Sequence, residues 1–380
     1  MLRIGSRMAC FVFLIILAAI LVHQPVLPTL DAAATNRFAQ IDAPGGSTSL
    51  KLDAAHNPVI AYSSAARLKL AHCANPVCSS GTQIQQIDTA VQSSLSLALN
   101  QAGNPVISYS GRSGLQIVTC GDPNCSSGNQ IVMSVGGSDG LGSSLTFDAS
   151  GNPVVSYTGG DGLKLLHCGN PTCTSQNSVV SIDNTSGENL GTGLALDEFG
   201  NPVVAYRSAG TSPKIKVAHC ADPNCSSRTI KAVDDTDDSL GNATLALDES
   251  GNPIVTYYHL GRQIAHCGNP NCSAKNVITL LDAAAVTPDQ GSIVLDSHGN
   301  PVVSYEVQQG RADRLTIAHC GDANCSAGNT FAYPDLSNLN GPFSSLQLDR
   351  QGRPVVSYQR SKSITNSFVF LLHCGSTTCN

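Results

Sequence analysis

The sequence predicts an all-β ring: a seven-bladed β-propeller of four-stranded antiparallel blades. Three observations predict it. One motif recurs seven times, each copy reads as four short strands, and the strand that the last copy lacks is present at the N-terminus.

The motif is a proline after a turn, then an apolar run ending in tyrosine: NPVIAY at 57–62, NPVISY at 104–109, NPVVSY at 152–157, NPVVAY at 201–206, NPIVTY at 252–257, NPVVSY at 300–305 and RPVVSY at 353–358. Successive prolines are 47, 48, 49, 51, 48 and 53 residues apart. A fixed period in this range marks a repeat architecture and overrides any domain count drawn from length.

The fifth copy shows the unit. Thr244–Asp248 is a short apolar strand, residues 248–252 are a turn, and Pro253–Tyr257 is a second strand. Gly261 and Arg262 end a loop, Gln263–Cys267 is a third strand, and after a cysteine-flanked turn Asn276–Asp282 is a fourth. Such a meander cannot bury both faces alone and must stack on its neighbours. The seventh copy stops at Asn380 without a fourth strand, while residues 36–42 (NRFAQID) align with the fourth strand of the sixth copy, residues 329–335. A linear solenoid has no use for that arrangement, whereas a closed ring does.

The Asp that opens each turn is present as Asp53, Asp148, Asp197, Asp248, Asp296 and Asp349, with Asn100 in the second copy. An acid in nearly every copy reads as a turn former, accepting backbone N–H groups, and the glycine three residues later supplies positive φ. The seven tyrosines read as packing between sheets, with the hydroxyl at the edge of the fold.

Of the 15 cysteines, Cys10 stands apart. The others form one C-x4-C pair per copy: Cys73/Cys78, Cys120/Cys125, Cys168/Cys173, Cys220/Cys225, Cys267/Cys272, Cys320/Cys325 and Cys374/Cys379. Turn-forming residues fill most of the pairs, which suits a local disulfide across a hairpin, worth about 2 kcal/mol for so short a loop. A histidine precedes the first cysteine in six copies, at His72, His167, His219, His266, His319 and His373. Neighbouring strand residues point to opposite faces, and one cysteine pair is short of the four ligands of structural zinc. Disulfides and no metal are therefore expected, with the histidines as hydrogen-bonded strand residues. No cofactor is expected.

Arg3 and Arg7 precede an apolar run, Met8–Val22, followed by Ala32-Ala33-Ala34. Residues 1–34 read as a secretory signal peptide, since the run is short of the ~20 residues that span a bilayer. Membrane attachment would follow only from an uncleaved segment. An exported chain makes oxidised cysteines the expected state. A net charge of −6 gives no basic footprint for nucleic acid.

The pattern LALD-x-x-GNP-VVSY followed by an apolar third strand resembles NHL-type propeller repeats, and its D-x-x-G turn is distantly similar to the Asp-box of sialidase-like propellers. The resemblance spans residues 36–380 and implies the fold, with the first strand of each blade nearest the axis. The sialidase likeness would ask for an arginine cluster, an acid and a tyrosine nucleophile. Arginines occur at Arg67, Arg112, Arg207, Arg262, Arg311, Arg314 and Arg360, where scattered solvated surface is the plainer reading. No Arg-Ile-Pro segment precedes the blades, and no glutamate stands out. A lectin wants aromatic platforms, and the chain has no Trp.

The D-x-x-G and cystine turns share one face and read as scaffold. The opposite face carries variable loops, such as Ser63–Arg67, Ser110–Gly114, Arg207–Pro213 and Glu306–Arg314, and the blade links 183–193 and 234–243. Variation on a rigid frame is where binding sites lie. Arg112, Arg207, Glu188, Asp237, Asp238, Arg311 and Arg360 are the expected ligand contacts. The acidic loop with Asp234, Asp235, Asp237 and Asp238 could suit calcium, though a solvated loop is the commoner outcome. The expected molecule is a monomeric, exported binding or scaffold module for an extracellular protein or glycan, with a sialidase-like hydrolase or lectin as the alternative. Non-reducing digestion of the exported protein should yield seven fragments in which each C-x4-C pair is linked to itself; bound stoichiometric zinc, or free thiols at most pairs, would show the metal reading to be the right one.

Overall fold

The computed structural model describes residues 35–380 except 92, 137–139, 185–190, 235–239, 286–290, 310–311, 338–339 and 364–365. The segment 1–34, read above as a signal peptide, lies outside the described residues.

The chain forms seven four-stranded antiparallel sheets. The first strand is β1 (Arg37–Asp42), and blade 1 follows as β2 (Thr48–Leu52), β3 (Pro58–Ser64), β4 (Arg67–His72) and β5 (Gln83–Asp88). Five further blades repeat this order of inner, second, third and outer strand. The last sheet has its inner strand at Asn340–Leu348, then Pro354–Ser363 and Asn366–His373, and takes β1 as its outer strand. Arg37 pairs with His373 and Gln40 with Phe370, so the N-terminal strand closes the ring as its sequence requires.

The second strands show why the blades must stack. Pro105–Gly111 and Pro153–Gly159 are buried along their whole length, with no alternation. A continuous run of this kind needs cover on both faces. The two neighbouring sheets supply it. Between blades 1 and 2, Val59, Ala61, Leu68 and Leu70 meet Leu97, Ile107, Tyr109 and Val118, and the cystine Cys120/Cys125 packs into the same cluster. Buried cystines also fill the other inter-blade clusters. A chain without Trp thus uses sulfur and tyrosine to fill the wedge between diverging sheets.

All seven disulfides form as paired above, and all are local: Cys73–Cys78, Cys120–Cys125, Cys168–Cys173, Cys220–Cys225, Cys267–Cys272, Cys320–Cys325 and Cys374–Cys379, with Cα–Cα separations of 4.8 to 5.0 Å. Their setting corrects one expectation. The two cysteines do not face each other across a hairpin from the third strand to the fourth. The second cysteine lies inside the turn, at positive φ: 49° at Cys78, 57° at Cys125 and Cys173, 55° at Cys225, 51° at Cys272, 52° at Cys325 and 60° at Cys379. The reason is a tight turn that closes first. The N–H of Cys173 donates to the carbonyl of Asn170, that of Cys225 to Asp222, that of Cys272 to Asn269 and that of Cys325 to Asp322. The outer strands begin only later, at Ser178, Arg228, Val277 and Thr330 in these four blades. Each bond therefore clamps the first half of a longer connection.

The D-x-x-G turns behave as read. Asp148 Oδ1 accepts the N–H groups of Ser150 and Asn152, and Gly151 takes φ 80°. In the first copy His56 adopts φ 63° where the others have glycine. Arg353, which replaces the usual asparagine in the seventh copy, donates from Nε to Asp349 Oδ2 as the asparagines do from their amides.

The same Asp Oδ2 accepts the third-strand histidine. His72 Nε2 lies 3.1 Å from Asp53, and His167 Nε2 2.9 Å from Asp148. The other ring nitrogen reaches the cystine turn of the next blade, from His72 to Asn124, His167 to Asn224, His219 to Asn271 and His266 to Asn324. With His319, which reaches the Thr377 carbonyl, these histidines are inter-blade bridges on separate blades, while His373 bonds to Asp349 of its own blade. In the second copy Thr119 stands where the others have histidine, beside the exceptional Asn100.

A variant lacking residues 36–42 should lose the Tyr62–Asp42 bond and expose the unpaired edge of Asn366–His373. Loss of that charge-assisted bond alone is worth about 1.5–3 kcal/mol. Melting should move down, and size-exclusion chromatography should show concentration-dependent association. A monomer melting at the parental temperature would show that ring closure is dispensable.

Candidate functional site

The face opposite the cystine turns is built on a second inter-blade bond. Tyr62, Tyr109, Tyr206, Tyr257, Tyr305 and Tyr358, each from a second strand, donate to an Asp of the preceding blade that ends its outer strand (Asp42, Asp88, Asp183 and Asp282) or follows it by two or three residues (Asp234 and Asp335). The hydroxyl thus stands at the edge of the fold, as expected, while the ring is fully buried. Burial and then the facing carboxylate push these phenols far above their ordinary pKa. Burial alone would raise Asp42, but the hydrogen bonds from Lys69 and Tyr62 overcome it and hold the carboxyl below its usual value. Asp234 serves this bond; the neighbouring Asp235, Asp237 and Asp238, considered for calcium, lie outside the described residues.

At the axis, the starts of the inner strands from all seven blades line a cavity of about 180 Å³. Its described lining includes Ser49, Ser96, Ser144, Thr244, Ser292 and Ser345, each four residues before the turn Asp or Asn. These hydroxyls also join blades. Ser49 Oγ accepts the N–H of Leu97, Ser96 that of Leu145, Ser292 that of Leu346, and Ser345 that of Leu50. Blade 4 has Gly193 at this position, where an added Cβ would stand 2.7 Å from Leu245 N. The inner strands lie nearest the axis, as the resemblance implied.

Of the predicted contacts, Arg112 is exposed in the turn between the second and third strands of blade 2. Arg207 ends the second strand of blade 4, half-buried, and burial lowers its pKa. Arg360 lies in the second strand of blade 7, with Nε 3.6 Å from Asp335 and its guanidinium 4.9 Å from the centre of the Phe370 ring. The three occupy separate blades. Glu188, Asp237, Asp238 and Arg311 lie outside the described residues.

The structure corrects three further readings. Glu306–Arg314 is not simply a loop, because the strands Pro301–Gln309 and Ala312–His319 extend the hairpin through most of it. Arg262 is not solvated surface. It is the first residue of a third strand, fully buried, with its guanidinium 5.2 Å from the centre of the Tyr305 ring. Burial lowers its pKa to about 10, opposed by the neighbouring Tyr305 and Asp282, so it remains a cation at neutral pH. A glutamate also stands out. Glu306 is 6% exposed, and burial first, then the nearby Asp313, push its carboxyl up to about 8. The signal was its position directly after the motif tyrosine, where other copies have Ser63, Ser110, Thr158, Arg207, Tyr258 or Gln359.

These features define a seven-bladed β-propeller of four-stranded blades with one local disulfide per blade. No family model and no curated protein matches the chain. Among solved structures it is similar to a protein of unknown function from Dyadobacter fermentans DSM 18053, with a TM-score of 0.50 and 13% identity over 89% of this chain and 98% of that one. The polysaccharide lyase Uly1 gives a TM-score of 0.52 and 9% identity over 88% and 91%. The Trypanosoma rangeli sialidase gives 0.48 and 10% identity over 87% of this chain and 54% of its own. The chain thus spans about half of the sialidase, and at these identities the likeness concerns the fold alone.

Between the ordinary carboxyl pKa of 4.5 and about 8, folded Glu306 holds a proton that the unfolded chain has released, so its burial costs stability as pH rises through that window. Glu306→Gln should therefore melt like the parent near pH 5 and roughly 2–5 °C higher at pH 8.5, as read by calorimetry. An equal difference at both pH values would show that Glu306 is ionised throughout.

Proposed function

We propose that the protein is an exported, disulfide-stapled propeller that binds an extracellular protein or glycan on the face opposite its cystine turns, without chemistry of its own. The observation that carries this reading is the axial cavity, whose described lining is serine, threonine, asparagine, glycine and apolar side chains from every blade. Such a surface offers hydrogen bonds to a polar ligand, while acid–base chemistry asks for titratable groups at the reacting bond. The seven disulfides fit an oxidising, extracytoplasmic setting, and the N-terminal segment supports export. Arg112, Arg207 and Arg360, carried by second strands or their turns in three separate blades, would set orientation and specificity more than raw affinity.

One observation favours a second reading. Glu306 beside Asp313 is a carboxyl held protonated near neutrality, as a general acid in glycan cleavage requires.

A panel of glycans and extracellular proteins, screened with the folded protein, separates the two. Under the binding reading a ligand is retained uncleaved, and Arg112→Glu with Arg311→Glu weakens it roughly tenfold, while Arg112→Glu alone barely moves the melting temperature, because an exposed charge such as Arg112 contributes little to stability. Cleavage abolished by Glu306→Gln would establish the enzyme instead. Binding that survives the charge reversals and is lost on altering the turns around Asn152 or Asn252 would place the ligand on the other face.

A further inference from the structure

The cystine-turn face is constant in turn length but not in side chain. Between neighbouring blades the D-x-x-G turns wall a groove, and their two middle residues change from copy to copy: Ala-Ala at 54–55, Gln-Ala at 101–102, Ala-Ser at 149–150, Glu-Phe at 198–199, Glu-Ser at 249–250, Ser-His at 297–298 and Arg-Gln at 350–351. The groove between blades 6 and 7 is walled by Ser297 and His298 on one side and Arg350 and Gln351 on the other. The groove between blades 4 and 5 is different. It holds about 190 Å³, and its first wall carries Phe199, 75% exposed, beside Glu198; the facing wall carries Glu249 and Ser250.

We propose that the groove between blades 4 and 5 binds one ring of an aminosugar-containing glycan, with the apolar face of the ring on Phe199 and its protonated amine between Glu198 and Glu249. A large aromatic side chain left in water at a turn position otherwise held by small or polar residues has no packing role to explain it. The floor is apolar at Leu196 and Leu247. Its other two carboxylates are already engaged, Asp197 by His219 and Asp248 by His266. The wall glutamates therefore set the sign of the site. They attract a cation, which can also sit against the aromatic ring, and they repel a carboxylated sugar. The volume is below the roughly 300 Å³ at which drug-sized pockets begin, which suits one ring. A lysine side chain would use the carboxylates but leave most of the aromatic plane uncovered. An aminosugar uses the plane, the carboxylates and the Ser250 hydroxyl together. This site is independent of the opposite face.

The test is calorimetric titration of the folded protein with a fully deacetylated glucosamine tetramer and with its N-acetylated counterpart, at about pH 6, where the amine is protonated. The same carbon frame is thus offered with and without charge. The deacetylated tetramer should bind at least about tenfold more tightly. Phe199→Ala should weaken it about fivefold, the effect of one modest cation–aromatic contact. Glu198→Gln with Glu249→Gln should remove the preference between the two tetramers. Arg112→Glu with Arg311→Glu should leave binding unchanged, which separates this site from the one proposed above. Equal affinity for both tetramers, no binding of either at millimolar concentration, or indifference to Phe199→Ala would overturn the proposal. Tighter binding of tetralysine through the same residues would also overturn it, in favour of a peptide.

Discussion

The carboxylate that opens the turn in six of the seven copies is the joint on which the ring depends. One oxygen holds the turn by accepting two backbone N–H groups; the other takes the side chain at the end of the turn and the histidine of the third strand. Through the far nitrogen of that histidine the bond passes to the next blade. Hydrogen bonds to a charged group contribute about 1.5–3 kcal/mol each, against about 1 kcal/mol for neutral pairs. Burial by itself would raise the pKa of Asp148, yet the bonds from His167 and Asn152 lower it. The favourable bonds therefore outweigh the desolvation. Backbone turn, strand position and neighbour contact are thus fixed by one group, and substitution at that group acts on all three.

On the opposite side of the motif, a second set of contacts makes each junction particular. At four junctions the hydroxyl before the motif tyrosine meets a hydroxyl at the next inner strand: Ser108 with Ser143, Ser156 with Thr192, Ser304 with Ser344 and Ser357 with Thr48; in blade 5, Thr256 meets Thr244 of its own blade instead. Where the second strand has alanine instead, the partner position is apolar. Ala61 packs in the same cluster as Leu95, and Ala205 in the same cluster as Ala243. A buried hydroxyl left facing an alkyl group would be unsatisfied, at a cost of about 1–3 kcal/mol. Matching across these six junctions favours the native order of near-identical blades over a shuffled one.

Much of this was legible in the sequence because it is local. The Asx-type turn, the C-x4-C bond and the four-strand meander are written within short windows, and ring closure was visible because residues 36–42 resemble an outer strand. The spacing of Cys173, Cys225, Cys272 and Cys325 from their partners reveals the bond but not the backbone that makes it, because a left-handed residue inside a turn leaves no mark on spacing. Contacts between blades were less legible. Arg262 reads as a surface residue from its polar neighbours, and its contact with the Tyr305 ring of the following blade leaves no mark in its own stretch of sequence. The composition of Glu306–Arg314 suggests a loop, but cross-strand pairing from Glu306 with Leu315 to Gln309 with Ala312 extends the hairpin and sinks the glutamate. Phe199 was hidden for another reason. The constant ends of the D-x-x-G turn drew attention away from its middle, and a turn of fixed length can still present different side chains.

The closing strand has a consequence for how the molecule exchanges with its surroundings. Asn36 bonds through its side chain to the carbonyl of Cys379 and to the N–H of Gly375, so the seam is stitched at its end as well as along β1. The strand is covalently tethered to blade 1 by only the short link before Thr48. Such a tether presents the strand to its groove at an effective concentration on the order of millimolar. A free peptide of the same sequence, or the corresponding strand of a second chain, competes on equal terms only near that concentration. In dilute solution the seam therefore belongs to its own strand, and in a concentrated or crowded preparation it is the place where two rings can trade ends.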